Sequence, residues 1–175
     1  MPYPVTFKSS ASLNTYQNFD GSNLTIGGLE EGAASKRGYA GAFIGVGTDF
    51  NSDAMLVIDL KGKMNYDDNG ILNQNLRVRN TIGLNSSATQ IRYSPLSVEV
   101  PLNKNLSFYA NPHYSGKYDY RNDKWTNSAG IFAGFTQKIG KNTSVSIEAQ
   151  RYNLQDINDN SGKNWGINAI VSYNF

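Results

Sequence analysis

The last twelve residues, Asn164 to Phe175, read NWGINAIVSYNF, and their period is two. Trp165, Ile167, Ala169, Val171, Tyr173 and Phe175 fall on one face, while Gly166, Asn168, Ser172 and Asn174 share the other with a single apolar Ile170. Alternate side chains point to opposite faces in a strand, so this pattern predicts a strand with one greasy face. That face carries aromatics near both ends and small aliphatics between them. Such an arrangement suits a strand that crosses a hydrocarbon slab and meets polar headgroups at each rim.

The same period recurs along the chain. Val5, Phe7, Ala11 and Leu13 oppose Thr6, Lys8, Ser10, Ser12 and Asn14. Ala40, Ala42, Ile44 and Val46 oppose Tyr39, Gly41, Phe43, Gly45 and Gly47, whose glycines leave room for bulky neighbours. The clearest interior strand sets Ala54, Leu56, Ile58, Leu60, Met64 and Tyr66 against Asp59, Lys61, Lys63 and Asn65. An Asn69-Gly70 turn, a strong hairpin signal, leads into Leu72, Leu76, Val78, Ile82 and Leu84 against Asn73, Asn75, Arg77, Arg79 and Thr81. Gln74 and Asn80 interrupt that apolar face. Ile91 and Tyr93 then sit on odd positions but Leu96, Val98, Val100 and Leu102 on even ones, which predicts a β-bulge at Pro95. Three more alternating runs follow. Leu106 to Tyr120 turns its even positions outward and His113, Ser115, Lys117 and Asp119 inward; Ala129 to Ile139 and Val145 to Ala149 turn their odd positions outward. Turns are expected at Asp20-Gly21, at Asn51 to Asp53, at Asn103 to Asn105, at Arg121 to Lys124 and at Gly140 to Asn142, with a polar loop from Gln155 to Lys163. Leu24 to Ile26 can start a strand, but the Gly- and charge-rich Gly27 to Gly38 reads equally as a bent strand, a connection, or a piece folded into a barrel mouth.

These runs number nine or ten, and even-numbered closure favours ten; eight remains the alternative if the first thirty-odd residues do not span. The 175 residues make a single domain, 1–175, an all-β, closed antiparallel up-and-down transmembrane β-barrel. Alternation by itself also fits a soluble ligand-binding barrel, whose apolar face points inward. Runs of roughly 12 to 15 residues, against about five or six in soluble sheets, and the crowding of Asn, Ser, Gly and charge on the opposite face weigh for lipid. A closed barrel also leaves no backbone amide unpaired in the bilayer.

Composition narrows the partners. Lys+Arg 16 against Asp+Glu 14 is nearly balanced, so no basic footprint for nucleic acid is present. Without cysteine and with one histidine, thiolate and His-rich metal sites are excluded, and no cofactor motif occurs. No run of about 18 apolar residues predicts a membrane helix, and Met1-Pro2-Tyr3-Pro4 is no signal peptide, so an exported chain would be the mature form. A mean hydropathy of −0.48 reads as soluble, yet barrels hide their apolar half in alternation.

An alternating final strand that stops on Phe175 resembles the closing strand of bacterial outer-membrane β-barrels. The resemblance implies an outer-membrane location, outer-membrane lipid around the Trp165 to Phe175 face, and a terminal aromatic read by the barrel-assembly machinery. It does not give the oligomeric state.

Asp59, Lys61, Lys63, Arg77, Arg79, Arg92, Glu99, Lys117 and Glu148 are the expected lumen-lining charges. One reading is a narrow pore whose basic wall concentrates ions or small anionic solutes. The other is a non-conducting structural or surface-interaction barrel, its charges paired across a filled interior. Separately, His113-Tyr114-Ser115 resembles three residues of the His-Tyr-Ser-Asn sequence of an outer-membrane lipid A deacylase family, with Gly116 in the place of Asn. That resemblance implies a deacylase using His113 and Ser115 with a later acid; Asp119 and Asp123 can be offered as that acid but neither is implied by the spacing, so no catalytic residue is assigned and the expectation is a non-enzyme.

Overall fold

The computed structural model of the chain describes residues 3–18, 23–49, 54–84, 87–152, 154 and 164–175. Ten strands follow one another: β1 (Thr6–Asn18), β2 (Asn23–Ser35), β3 (Gly38–Thr48), β4 (Ala54–Asn65), β5 (Leu72–Gly83), β6 (Ser87–Pro101), β7 (Leu106–Asp119), β8 (Lys124–Ile139), β9 (Thr143–Arg151) and β10 (Trp165–Asn174). Each pairs antiparallel with its sequence neighbours, and β1 pairs with β10 to close the barrel, from Ser10 opposite Asn174 to Asn18 opposite Gly166. Closure leaves no free edge, so the ladders supply the backbone partners that hydrocarbon cannot.

The ten-strand expectation holds, and the eight-strand alternative falls away because β2 is real. Of the stretch Gly27 to Gly38, which the sequence leaves open between three readings, Gly27 to Ser35 continues β2 as an extended strand paired with β1 and β3, Lys36 and Arg37 form the turn, and Gly38 opens β3. Its glycines hid it from a hydropathy scan. Only Leu29 gives its outward face a large aliphatic, whereas Ile26, Gly28, Glu30 and Gly32 face in. The bulge expected at Pro95 is also present. Asn73 lies opposite Ser97 but Asn75 opposite Ser94, and on the other side Tyr93 faces Tyr114 while Val98 faces Ala110. One extra residue in β6 carries the strand from even to odd inward positions.

The connection at Asn69-Gly70 is longer than the two-residue hairpin its dipeptide suggests. Tyr66 N donates to Leu72 O at 2.8 Å, closing a loop over residues 66–71 with Gly70 at φ +71°. The Asp67 carboxylate organises it, accepting from the amides of Asn69 (2.8 Å), Ile71 (3.2 Å) and Leu72 (2.5 Å). The connections at Asn103 and Gly140 stand at the same mouth as this loop and as the end of β10; the 121–123 turn stands at the opposite mouth. The turns expected at Asp20-Gly21 and at Asn51 to Asp53, and the loop from Gln155 to Lys163, lie outside the described residues.

The outward face is apolar. Leu13, Leu29, Ile44, Val46, Leu60, Ile82, Ile147 and Val171 are all exposed on it. Aromatics gather at both rims: Tyr173 and Phe175 stack edge-on at 5.4 Å at one, Tyr118 and Tyr120 at 5.1 Å at the other, where Arg151 also lies 4.7 Å over the Trp165 ring. This is the surface of a transmembrane barrel, an apolar band between aromatic girdles. Trp165, Ile167, Ala169 and Tyr173 of β10 belong to it, as their period requires. The two outward amides that spoil β5 are satisfied by neighbours. Thr89 Oγ1 lies 2.6 Å from Asn80 Oδ1 and 2.7 Å from the Tyr120 hydroxyl, and Tyr93 donates to Gln74 Oε1 at 2.9 Å. Polar groups paired in this way cost little in hydrocarbon.

The lumen is not polar throughout. Ile26, Phe43 and Val57 are buried together inside the β2–β4 wall, with Tyr16, Leu24 and Met55 packed on them. Inward glycines make the room. A methyl on Gly28 or Gly45 would come within 2.6 Å of the Phe43 ring, and one on Gly32 or Gly41 within 2.4 Å of the Tyr39 hydroxyl. Around this cluster the interior is therefore occupied by large rings laid over bare backbone.

Candidate functional site: the barrel lumen

Strand register sets the charged side chains in rows. Lys61, Arg77 and Arg92 stand opposite one another on β4, β5 and β6, and the next row holds Asp59, Arg79 and Gln90. Asp59 is fully buried, accepting from Arg79 Nε at 2.9 Å and Nη2 at 3.1 Å and also from Arg77. One carboxylate thus serves two guanidiniums. Lys61 pairs with Glu30, which also accepts from the Tyr39 hydroxyl at 2.5 Å. Lys63 pairs with Glu99 at 2.6 Å nearer the C-terminal mouth. Across the barrel Glu148 accepts from the Tyr109 hydroxyl at 2.9 Å and from Asn168 Nδ2 at 3.3 Å.

Arg92 differs from the rest. Its guanidinium lies 4.9 Å over the Phe132 ring and has no carboxylate in ion-pair contact among the described residues. Its Nε and that of Arg77 are both buried without an acceptor.

Space runs past these groups as a string of cavities. One of about 330 Å³ opens towards the mouth opposite the C-terminus, lined by Tyr16, Arg77, Arg79, Gln90, Arg92, Gln150 and Tyr152 among others. Two inner ones, of about 190 and 250 Å³, share Lys61, Arg77, Arg92 and Phe132. A fourth, of about 340 Å³, lies at the C-terminal mouth between Lys63, Glu99, Lys104 and Lys138. Arg77 and Arg92 line the first three.

Of the nine charges expected inside, Asp59, Lys61, Lys63, Arg77, Arg79, Arg92 and Glu148 stand inside the barrel, whereas Glu99 has the inward register but is exposed at the C-terminal mouth. Asp59 lies beneath the two arginines without touching open space. Lys117 has the inward register but is exposed, two residues from the end of β7, at the rim. Glu30 is absent from the expected set because the Gly27 to Gly38 stretch reads equally as strand, connection or mouth segment, although its parity with Ile26, Gly28 and Gly32 carried the signal. Phe132, whose inward parity was legible, gained its meaning only from the arginine above it.

His113 and Ser115 also point inward, as their phase requires, and both are buried. His113 Nδ1 lies 3.3 Å from the Asn111 carbonyl, its ring packs 4.8 Å from Phe132, and Gly130 gives it room. Ser115 Oγ takes a hydrogen bond from Gln90 at 3.3 Å and shares another with Ser128. The two acids considered for them are engaged at the rim: Asp119 accepts from the amides of Arg121 and Asn122, and Asp123 from Tyr118. Among the described residues no group of three His, Cys, Asp or Glu side chains could hold a metal.

No family model and no curated protein matches the sequence. Among solved structures, the chain is similar to a de novo designed transmembrane barrel, TMB2.3, solved in solution (15% identity over 95% of this chain and 92% of that one, TM-score 0.48). It is also similar to the KdgM porin (13%, 95% and 99%, 0.46) and to the β-domain of the Bordetella autotransporter BrkA (10%, 97% and 98%, 0.42).

Proposed function

We propose that this protein is a narrow pore in a bacterial outer membrane, passing ions or small solutes with a preference for anions. The observation that carries the reading is that three guanidiniums on adjacent strands, Arg77, Arg79 and Arg92, line the lumen cavities with only Asp59 in ion-pair contact with them among the described residues. Fixed positive charge on a low-dielectric wall raises the local concentration of small anions and repels cations. The cavities, a few hundred Å³ each, limit passage to small solutes. Lys61 and Lys63 add little, being paired. The proposed role is passage, not catalysis, and lipid is the partner of the outward face.

A second reading rests on the apolar cluster of Ile26, Phe43 and Val57 and on the ion pairs, which together fill much of the interior: a structural barrel that conducts nothing. Single-channel recording in planar bilayers under a salt gradient separates the two. The pore gives discrete steps with an anion-selective reversal potential. Arg77→Ala with Arg79→Ala, leaving Asp59 bare, shifts that potential towards cations. Silence from protein shown to be inserted refutes the pore.

A further inference from the structure

We infer that Arg92 and Arg77 hold a small carboxylate, bound one per barrel, at the point where the lumen cavities meet. The inference rests on the pore reading for its biological setting, but not for its chemistry. Arg77 and Arg92 face each other across the β5–β6 ladder, and like charges directly opposite on paired strands repel. Asp59 answers Arg77 through Nη2 alone. The Nε of each guanidinium is buried with no acceptor among the described residues, and Arg92 has no hydrogen-bonded partner there at all, only the face of Phe132. Glu148, the acid across the lumen, is already held by Tyr109 and Asn168.

Buried donors of this strength are rarely left unmade. A guanidinium presents its N–H groups as a planar fork that matches the two oxygens of a carboxylate and matches chloride poorly. Phe132 fixes the plane of the Arg92 fork by covering one side of it. The adjoining cavity of about 330 Å³ has Tyr16 and Tyr152 on its wall and Gln90 and Gln150 beside them, enough room for the body of a small organic acid. The site therefore favours a planar oxyanion with a short organic tail over a spherical halide.

The test uses the whole protein in detergent micelles, where binding is read without conduction. Carbon-13-labelled acetate is titrated and its NMR line followed, with chloride as competitor. One saturable site is expected, with chloride at least tenfold weaker. Arg92→Gln should lose saturation, and Arg92→Lys should keep anion binding while the preference for acetate over chloride collapses. Native folding of each variant is checked by its heat-dependent gel mobility. Equal competition by chloride in the wild type, or unchanged acetate saturation in Arg92→Gln, overturns the inference. Bilayer silence alongside saturable acetate binding would sink the pore and leave the site standing.

Discussion

Replacing Asp59 by Asn tests how the barrel tolerates its own charge. Asp59 is fully buried and accepts three hydrogen bonds from Arg77 and Arg79, whose side chains keep 27% and 15% of their exposure. The amide keeps one oxygen as acceptor and turns two donors towards guanidiniums that are donors themselves. Removing one partner of a buried, hydrogen-bonded pair costs about 3–5 kcal/mol. The residual access of Arg77 to the cavities places this case at the lower end, about 3 kcal/mol, or roughly 150-fold in the folded-to-unfolded ratio. Urea-titrated folding into lipid vesicles, followed by the fluorescence of Trp125 and Trp165, measures it. Removing the guanidiniums as well, in Asp59→Asn with Arg77→Gln and Arg79→Gln, should recover most of the loss, since neither charge that Asp59 served then remains. If Asp59→Asn alone costs less than about 0.5 kcal/mol, the range of an exposed pair, the carboxylate is not the buried anchor described.

Deleting Leu96 removes the bulge residue and leaves every other side chain of β6 on its present face, so the barrel should still fold, whereas deleting Val78 flips half of β5 and should abolish the folded gel band. Gly41→Ala brings a methyl to 2.1 Å from the Tyr39 hydroxyl and should destabilise by about 1–3 kcal/mol in the same urea assay. The amide of Leu72, with those of Ile71 and Asn69, holds the Asp67 carboxyl below the ordinary aspartate range. A depressed carboxyl stabilises above its unfolded pKa and stops doing so as pH falls through the folded one. The stability gap between wild type and Asp67→Ala should thus be full at neutral pH and close in acid below about pH 4; a gap that widens in acid would contradict the sign.

How far the sequence disclosed this molecule depended on how loudly each strand alternated. Strand β4, with Leu56, Ile58 and Leu60 against Asp59 and Lys61, declared both its faces, and the slip between Tyr93 and Leu96 located the bulge to within a residue. Strand β2 stayed ambiguous because its glycines speak to no face. They serve neighbouring rings, and a ring laid over a distant glycine is a tertiary fact. The inward charges were legible from parity, but their pairing was not. That Lys61 meets Glu30 while Arg92 meets only Phe132 depends on shear around the barrel, which no single strand encodes. The amides at Gln74 and Asn80 looked like faults for the same reason, since Tyr93, Thr89 and Tyr120 are far from them in sequence.

The cluster of Ile26, Phe43 and Val57 gives the barrel two unlike flanks. Interiors packed to crystal density resist compression, whereas walls that border open space do not. Where Ile26, Phe43 and Val57 pack, the wall is backed by side chains, whereas the wall carrying Arg77 and Arg92 on β5 and β6 borders three cavities. Lateral pressure from the bilayer would then deform the cavity-bordered wall first, drawing Arg77 and Arg92 towards or away from the facing wall while the backed wall holds its shape. Membrane tension would thereby act on the space between Arg77, Arg92 and the facing wall through one part of the circumference more than the rest.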